Sequence, residues 1–390
     1  MTRLIAACAL FAALLYGVEP RVVSDAEVAR VHRSAILIDT HNDVPLRTVT
    51  GFDIGSRNER GHTDMARLKQ GGVGAVFFAV YVAPSYAKSG GAARHALEVI
   101  DSVRRDIVDR YPNEFVLAST ADGIEQAHGQ GKIAALMGVE GGHAIEDSLR
   151  VLRTFYDLGA RYMTLTHANT NNWADSSGDI NRPGVEHHNG LTKLGREVVA
   201  EMNRLGMIVD ISHVSDKTFR DVLETSTAPV FASHSNCRAV SNIPRNMTDE
   251  MIVALARKGG QLNMNFGCEF LSQKSADASP WSNPKLAAQV EKNKSAEARL
   301  ERRMPRAALA DVVAHIDHVV KLAGIDHVGI GTDFDGIGCT PEGLDDPGKF
   351  PNLTRALLER GYSPADIQKI YGGNMLRLMR AVEQAATRRH

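Results

Sequence analysis

Short apolar runs recur along the chain from about residue 24 onward, and segments with helical spacing of apolar residues lie between them. Such runs are typical of strands that are buried on both faces of a sheet. Eight of them stand out: AILID (35–39), AVFFAVYV (75–82), IAALMGV (133–139), YMTLTH (162–167), MIVDIS (207–212), PVFAS (229–233), QLNMNF (261–266) and HVGIGTDF (327–334). The helical patterns cover 92–110, 146–158, 190–204, 215–226, 248–258 and 306–323.

This alternation predicts an α/β fold with a parallel sheet, and eight units indicate a closed (β/α)₈ TIM barrel. A ninth apolar run, FVLAS (115–119), is interpreted as an extra strand within the second crossover. A doubly wound open sheet is the alternative architecture. Its nucleotide-binding form would place G-x-G-x-x-G after the first strand, whereas this strand ends DTHNDVP, and GIGTDFDG has Phe334 where the third glycine belongs.

Two regions extend the predicted barrel. A polar, proline-containing stretch (267–305) separates the seventh strand from its helix, and we interpret this insertion as a lid or a contact surface. After the barrel, Ser363-Pro364 is typical of a helix start, the glycine pair 372–373 is expected to break that helix, and 374–386 is predicted to form a final amphipathic helix.

The N-terminus resembles a targeting segment. The apolar run LIAACALFAALLYG (4–17) follows Arg3 and is too short to span a membrane but suits a signal peptide, although no clear cleavage site follows it. We therefore predict a leader over 1–23 and a single barrel domain over 24–390. Export to the periplasm or the medium is expected, and a cytoplasmic protein with an apolar N-terminal helix is the alternative.

Composition narrows the class of protein. With 43% hydrophobic and 23% charged residues, the chain is an ordinary globular protein, and a net charge of −1 without long basic runs argues against a nucleic-acid partner. The four cysteines are scattered and form no CxxC pair, so neither a disulfide framework nor a thiolate zinc site is expected. Fifteen histidines is a high number and prompts a search for a metal site.

Six of the eight predicted strands end in side chains that bind metals or transfer protons. Active-site residues of TIM barrels lie at these carboxyl ends. In chain order they are His41 and Asp43, then Glu140, His167, His213, His234 and Asp333. Histidine and carboxylate together suit Zn²⁺ or a similar divalent ion. Asp39 and Asp210 lie inside apolar strands and are interpreted as acceptors that orient the histidines.

Five of these residues exceed the three protein ligands of one catalytic zinc. We expect His41 and Asp43 to hold one ion, His213 and His234 to hold a second, and Glu140 to bridge the two. Two such ions can bind a bridging hydroxide that attacks a carbonyl at neutral pH. Asp333 would take the proton from the attacking water and transfer it to a leaving amine.

Simpler interpretations exist for individual residues. A single histidine at a strand end is usually a hydrogen-bonded structural residue, and only the aggregated set favours a metal site. The pair His315 and His318 could chelate but is interpreted as a solvated helix face. His143 stays open as a further candidate, and Asp335 could exchange roles with Asp333. The remaining histidines of loops, helices and tail are considered incidental, among them His62.

At these positions the sequence closely resembles the membrane (renal-type) dipeptidase family, a binuclear-zinc branch of the amidohydrolase superfamily. The matching segments are IDTHNDVP (38–45), GVEGGH (138–143), YMTLTHANTNNWADS (162–176), VDISHVS (209–215), ASHSNCRAVSNIPRNM (232–247) and GIGTDFDGI (329–337). The resemblance implies two zinc ions on the ligands just described, with Asp333 as the proton shuttle. It also implies that His167 binds the substrate carbonyl or the tetrahedral intermediate and that Arg245 binds the substrate carboxylate, a role that suits a guanidinium.

The chain departs from that family in several places. No cysteine follows His167, and the final residues ATRRH lack the apolar tail of a lipid-anchor signal, so neither a GPI anchor nor a membrane span is expected in the mature chain. Where relatives often carry an aromatic hydroxyl after the seventh strand, this chain has Phe266 and Gly267, which cannot donate a hydrogen bond. Substrate selection is therefore expected to differ.

The sequence predicts a zinc-dependent dipeptidase that hydrolyses dipeptides with a free C-terminal carboxylate by means of a metal-bridged hydroxide. The resemblance adds tolerance of a D-residue at the C-terminal position. A metal-dependent amidase or lactonase acting on another small substrate is the alternative within hydrolases, and a non-catalytic barrel is the alternative outside them. A small peptide is the expected substrate, and a homodimer is left open.

Overall fold

A computed structural model describes residues 21–292, 299–300 and 303–386. Eight parallel strands close into a barrel, because β1 pairs with both β2 and β9 and a further pairing joins β2 to β4. The strands are β1 Leu37–Asn42, β2 Val73–Tyr81, β3 Phe115–Leu117, β4 Ile133–Glu140, β5 Ala160–Thr164, β6 Ile208–Asp210, β7 Phe231–Ser235, β8 Gln261–Met264 and β9 Val328–Ile330. The extra strand β3 pairs only with β4. The predicted TIM barrel and its additional strand are confirmed.

Helices follow the strands and form the outer layer. Those within the described residues are α1 Asp25–Arg33, α2 Pro45–Thr48, α3 Met65–Gln70, α4 Tyr86–Ser89, α5 Ala92–Ser102, α6 Ala121–Gly129, α7 Leu149–Asp157, α8 Lys193–Leu205, α9 Asp216–Thr225, α10 Asp249–Arg257, α11 Cys268–Leu271, α12 Gln273–Ala278, α13 Pro284–Lys292, α14 Leu309–Ala323, α15 Phe350–Arg360, α16 Pro364–Gln368 and α17 Asn374–Ala385. Several crossover helices begin at a threonine or serine whose side chain accepts a backbone N–H of the first turn, as Thr192, Ser215 and Thr248 do.

Side chains of the strands alternate between the barrel interior and the helical layer. Tyr162 on β5 contacts Phe77 on β2 and Phe231 on β7, with ring centroids 5.5 and 5.2 Å apart, so an aromatic layer fills the interior. The same alternation along β2 and β4 brings Tyr81 and Glu140, which are paired in register, to the carboxyl-end mouth. An aromatic layer therefore lies beneath the polar side chains of the mouth.

The insertion after β8 begins with the helices α11, α12 and α13. Residues 293–298 and 301–302 of the predicted insertion lie outside the described residues, as does most of the predicted leader. At the other end of the barrel, Asn374 donates to the carbonyl oxygens of Ile325 and Val328, which joins α17 to the start of β9.

The predicted break at the glycine pair 372–373 is wrong. A π-helical turn over 369–373 connects α16 directly to α17, so the chain stays helical through the glycines. Close packing explains the glycine, because a Cβ on Gly372 would lie 2.1 Å from the Ile36 carbonyl oxygen at the start of β1. The glycine permits close approach to the barrel here and does not end the helix.

One disulfide is present among the described residues, although the scattered cysteines predicted no disulfide framework. Cys268 and Cys339 are bonded, with Cα atoms 5.5 Å apart and a sequence separation of 71. They lie in the segments that follow the neighbouring strands β8 and β9, so only barrel closure brings them together. Cys237 is buried and remains a free thiol.

The face of α14 that carries His315 is not solvated, contrary to the prediction. His315 is fully buried, its Nδ1 accepts the Cys237 backbone N–H at 3.1 Å, and its Nε2 lies 3.0 Å from the Leu271 carbonyl oxygen. Burial lowers the pKa of His315 to about 4. One turn further, His318 is bonded to Asp249 at 2.7 Å. Neither histidine is available as a ligand.

Protonation of His315 should therefore couple stability to pH. Between its folded pKa of about 4 and an unfolded pKa of about 6.5, the unfolded state binds the extra proton, so stability falls as pH decreases. We expect this residue to remove up to about 3 kcal/mol of unfolding free energy by pH 4, and His315→Gln to flatten that slope in urea unfolding. His128→Gln, at an exposed site, is the matched control. Equal pH slopes in all three proteins would contradict the prediction.

Candidate active site

The side chains predicted from the strand ends meet at the carboxyl-end mouth of the barrel. Glu140 lies at their centre, and its two oxygens face different neighbours. Its Oε1 lies 3.0 Å from His213 Nε2 and 3.3 Å from His234 Nε2, whereas its Oε2 lies 3.6 Å from His41 Nε2. His41 Nε2 is in turn 3.2 Å from Asp43 Oδ2. The carboxylate thus joins two groups of donors.

Three overlapping groups of donor atoms, each within 4.8 Å of one another, could hold a metal ion. They are His41, Glu140 and His234; Glu140, His167 and His213; and His41, Asp43 and Asp333. All seven residues predicted from the strand ends belong to at least one group. Asp333 is close enough to be a ligand as well as a proton acceptor.

Backbone pairing beyond the ends of β1 and β9 places Asp333 beside Asp43. The Asp333 N–H donates to the His41 carbonyl at 3.0 Å, and the Asp43 N–H donates to the Phe334 carbonyl at 2.8 Å. Asp333 and His213 have left-handed backbone conformations, with φ of 62° and 66°. Non-glycine residues rarely adopt this region, and such strain is concentrated at functional sites.

Asp210 orients His234 through an intervening serine. The Ser233 hydroxyl donates to Asp210 Oδ2 at 2.6 Å, so its oxygen accepts from His234 Nδ1 at 2.7 Å. With the proton fixed on Nδ1, the lone pair of Nε2 points into the cluster. The predicted orienting role of Asp210 is confirmed, although it acts through Ser233.

Asp39 has a different role from the predicted one. It accepts the backbone N–H and the hydroxyl of Thr332, at 2.8 and 2.7 Å, and the backbone N–H of His41 at 3.3 Å. It therefore ties β1 to the end of β9 and touches no imidazole ring.

Two open alternatives are resolved by the contacts of the side chains. Asp335 does not join the cluster, because it accepts the backbone N–H groups of His62 and Thr63 at 3.0 and 2.8 Å and so anchors the loop after β1. His62 belongs to the same contact, since its Nδ1 accepts the Asp335 N–H at 2.9 Å, and it is not incidental. His143 is directed to the Ala83 carbonyl at 3.2 Å and belongs to none of the three donor groups.

Exposure distinguishes the floor of the site from its open side. His41, Asp43, Glu140 and His234 are buried. His167, His213, Arg245 and Asp333 are partly exposed and border the opening. A substrate that enters the mouth therefore meets this second set first.

Arg245 is held without an acidic partner. Its guanidinium donates to the Ser235 hydroxyl and, at 2.7 Å, to the His234 carbonyl, while its Nε is buried without a hydrogen bond. Among the residues that the structure describes, no carboxylate lies within ion-pair distance of it. A positive group of this kind at the opening is suited to an anion.

The chain is similar to known dipeptidases over most of its length. A family model for the membrane dipeptidases (peptidase family M19) matches residues 25–390. The chain belongs to this family. It is 38% identical over 354 residues to dipeptidase 3 of Mus musculus and 37% identical to that of Rattus norvegicus. These matches cover 89% of this chain, which spans only 64% and 65% of the length of the two relatives.

Solved structures of the family share the barrel. The probable dipeptidase PvdM from Pseudomonas aeruginosa is similar with a TM-score of 0.82 and 26% identity, over 93% of this chain and 98% of that one. A metallo peptidase from Rhodobacter sphaeroides, liganded with a phosphinate mimic of the dipeptide L-Ala-D-Ala, is similar with a TM-score of 0.74 and 27% identity. That match covers 89% of this chain and 99% of the other.

In the described part of the chain, no helix is long and apolar enough to cross a membrane. Homodimerisation, which the sequence left open, stays a prediction.

Burial and neighbouring charges set Glu140, His213 and His234 in the protonation states that metal binding requires. Burial disfavours the charge of Glu140, but the imidazoles around it, His41 foremost, hold the pKa of Glu140 well below its usual value. Burial, reinforced by nearby positive charge, lowers the pKa of His213 and of His234 well below the usual value. An ionised carboxylate and neutral imidazoles are the ligand forms that divalent ions bind.

The pKa values of Asp333 and His41 are instead raised. Burial beside the Asp43 carboxylate raises the pKa of Asp333 well above its usual value. Burial opposes protonation of His41, but Tyr162 and the carboxylates of Glu140 and Asp43 outweigh it and raise the pKa of His41. A cation bound beside His41 must therefore displace a proton from that pocket.

Three further residues near the cluster were missed from the sequence. Asn265, just after β8, donates to Asp333 Oδ2 at 2.8 Å and fixes that carboxylate. Tyr81 ends β2, and its ring packs edge-on against His167 with centroids 4.8 Å apart. The hydroxyl oxygen of Tyr162 lies 2.8 Å from His41 Nδ1. Only the position of Tyr81 and Asn265 at strand ends could have indicated them, since neither is a typical metal ligand.

Metal binding should stabilise this family member through Glu140. After chelation, added Zn²⁺ is expected to raise the thermal unfolding midpoint, since a ligand at a hundred times its Kd adds about 2.7 kcal/mol. Glu140→Gln should lose most of that shift, because it removes the charge that faces His41 on one side and His213 and His234 on the other. His143→Gln, three residues away and outside the donor groups, should keep it. A full zinc-induced shift in Glu140→Gln, measured by calorimetry, would contradict the assignment.

Proposed function

We propose that this chain is a zinc-dependent dipeptidase that hydrolyses the peptide bond of dipeptides with a free C-terminal carboxylate. The observation that carries the proposal is the position of Glu140, whose two oxygens face separate donor groups. Membership of the membrane dipeptidase family supports the reaction class. We further propose two ions, with His41 and Asp43 on one, His213 and His234 on the other, and Glu140 between them.

The spacing of the donors supports this assignment. Ligand atoms at 2.0–2.1 Å from a tetrahedral zinc ion lie roughly 3.3 Å from one another. The Nε2 atoms of His213 and His234 are 3.0 Å apart, and both lie 3.0–3.3 Å from the same Glu140 oxygen. With its proton held on Nδ1, His234 directs a lone pair at this point, and a cation bound there would offset its repulsion with the Glu140 oxygen.

Bound zinc ions would lower the pKa of water and polarise the substrate carbonyl. The partly exposed residues of the opening would then complete the site. Arg245, which lacks an acidic partner, would bind the substrate carboxylate, and His167 would orient the scissile carbonyl. Asp333, held by Asn265, would accept the proton of the attacking water and transfer it to the leaving amine.

Tolerance of a D-residue at the C-terminal position is part of the proposal. The similar metallo peptidase from Rhodobacter sphaeroides is liganded with a phosphinate mimic of L-Ala-D-Ala. Because Arg245 would hold the carboxylate beside a solvent-exposed opening, the side chain of the C-terminal residue can project outward in either configuration.

The zinc-loaded protein is expected to cleave L-Xaa–L-Xaa and L-Xaa–D-Xaa dipeptides and to leave the same peptides uncut when the C-terminus is amidated, because Arg245 then lacks its anion. Product amines can be measured by chromatography across a dipeptide library. Cyclic amides and lactones serve as a comparison set. Preference for the cyclic substrates would identify an amidase or lactonase, and absence of turnover across the library would refute the proposal.

The variant Asp333→Asn tests the proposed proton transfer in the same turnover assay. It keeps the shape of the side chain and its contact to Asn265 but cannot accept a proton, so turnover should fall by about 10²–10⁴-fold. Zinc content, measured by plasma emission spectrometry, should remain that of the unmodified protein. Loss of zinc in this variant would instead make Asp333 a ligand.

We also propose that the chain is exported and that 1–23 is a removable leader ahead of one barrel domain. The Cys268–Cys339 disulfide supports this compartment, since such bonds persist in oxidising environments. N-terminal sequencing of the native protein should find a chain that starts near Ser24. A native chain that starts at Met1 in a reducing compartment would argue for the cytoplasmic alternative.

A further inference from the structure

Tyr162 is an unusual component of an apolar barrel interior. It is fully buried, and its ring packs between Phe77 and Phe231. Its hydroxyl lies 2.8 Å from His41 Nδ1 and 3.2 Å from the Thr40 carbonyl oxygen. A phenylalanine would fill the same space, so packing alone does not explain the hydroxyl.

The two contacts of the hydroxyl place a proton on Nδ1 of His41. A carbonyl can only accept, so the O–H of Tyr162 donates to Thr40. The phenol oxygen then accepts from Nδ1–H of His41. This leaves Nε2 to face Glu140 and Asp43, and that nitrogen is buried without a hydrogen bond to the protein. The contact therefore orients both the ring and the metal-facing nitrogen.

The barrel provides space for this tyrosine at a specific position. Gly138 on β4 is the register partner of Tyr162 on β5. A Cβ on Gly138 would lie 1.9 Å from Cζ of the Tyr162 ring, so a side chain there would displace the ring. Because Gly138 has no side chain, Tyr162 can reach across the barrel interior to β1.

We propose that Tyr162 is the positioning residue for the His41 half of the metal centre. The inference rests on the two-ion site of the proposed function. The other half has its own support, because His234 is fixed by Ser233 and Asp210. The two ions would thus have separate outer partners, one phenol from the barrel interior and one serine–aspartate pair from β6 and β7. Loss of one partner should weaken the binding of one ion and leave the binding of the other unchanged.

The test measures the affinity of each ion, not turnover. Chelator-treated protein is titrated with Zn²⁺ in competition with a chromophoric chelator, which resolves two binding steps in the unmodified protein. Tyr162→Phe should weaken the zinc affinity of one step by 10–100-fold. The affinity of the other step should stay within twofold of its value in the unmodified protein. Ser233→Ala should also weaken a single step. The double variant should weaken both, because the two substitutions act on different ions.

Tyr371→Phe is the matched control. It removes a hydroxyl from an equally buried tyrosine, which is bonded to Thr354 at 2.7 Å, outside the metal cluster. Both zinc steps should be unchanged in it. Unchanged zinc affinities in Tyr162→Phe, equal weakening of both steps, or the same loss in Tyr371→Phe would overturn the inference. Failure of the unmodified protein to bind two ions would instead refute the two-ion site itself.

Discussion

A buried carboxylate surrounded by imidazoles is the interaction on which the active site depends. Glu140 is almost inaccessible to water, and an isolated charge in such a place is costly unless it is compensated. Nε2 atoms of His41, His213 and His234 lie 3.0–3.6 Å from its oxygens and supply part of that compensation. The imidazoles of His213 and His234, which burial keeps neutral, cannot supply all of it, and this is a physical reason that the cluster fits divalent cations.

Barrel closure makes this arrangement possible. Residues distant in sequence converge because parallel strands all end at one mouth, and the inward row of each strand continues from the apolar layer to the polar one. The aromatic layer beneath the cluster both packs the interior and contributes a hydroxyl at Tyr162. Stability and ligand orientation are therefore coupled in the same few side chains.

The open side of the site is organised by the segments that follow β8 and β9. Asn265 holds Asp333, and the Cys268–Cys339 disulfide joins these two segments a few residues further on. Asp335 in turn anchors the loop after β1 through the backbone of His62 and Thr63. The acid–base candidate thus lies on a loop that is restrained on both sides, which suits a group that must hold its position while a substrate binds.

The sequence by itself was sufficient for the barrel and for the set of side chains at its mouth. Periodicity locates strands, and the topology of a parallel barrel then requires that His41, Glu140 and Asp333 share one end. Chemical type also indicates which of them can bind a cation. None of these inferences requires a structure. Each depends on the local sequence pattern and on a fold whose active-site residues lie at the carboxyl ends of the strands.

Contacts between distant segments were decided only by the tertiary structure. The Cys268–Cys339 bond, the burial of His315 and the helical path through Gly372 each depend on which surfaces meet when the barrel closes, and no spacing in the chain encodes that. The role of Tyr162 is also decided by the tertiary structure. Its sequence context is that of an ordinary strand residue, and only the folded chain places its hydroxyl beside His41. Local pattern determines what each segment is, whereas side-chain partners depend on distances that the chain acquires only after folding.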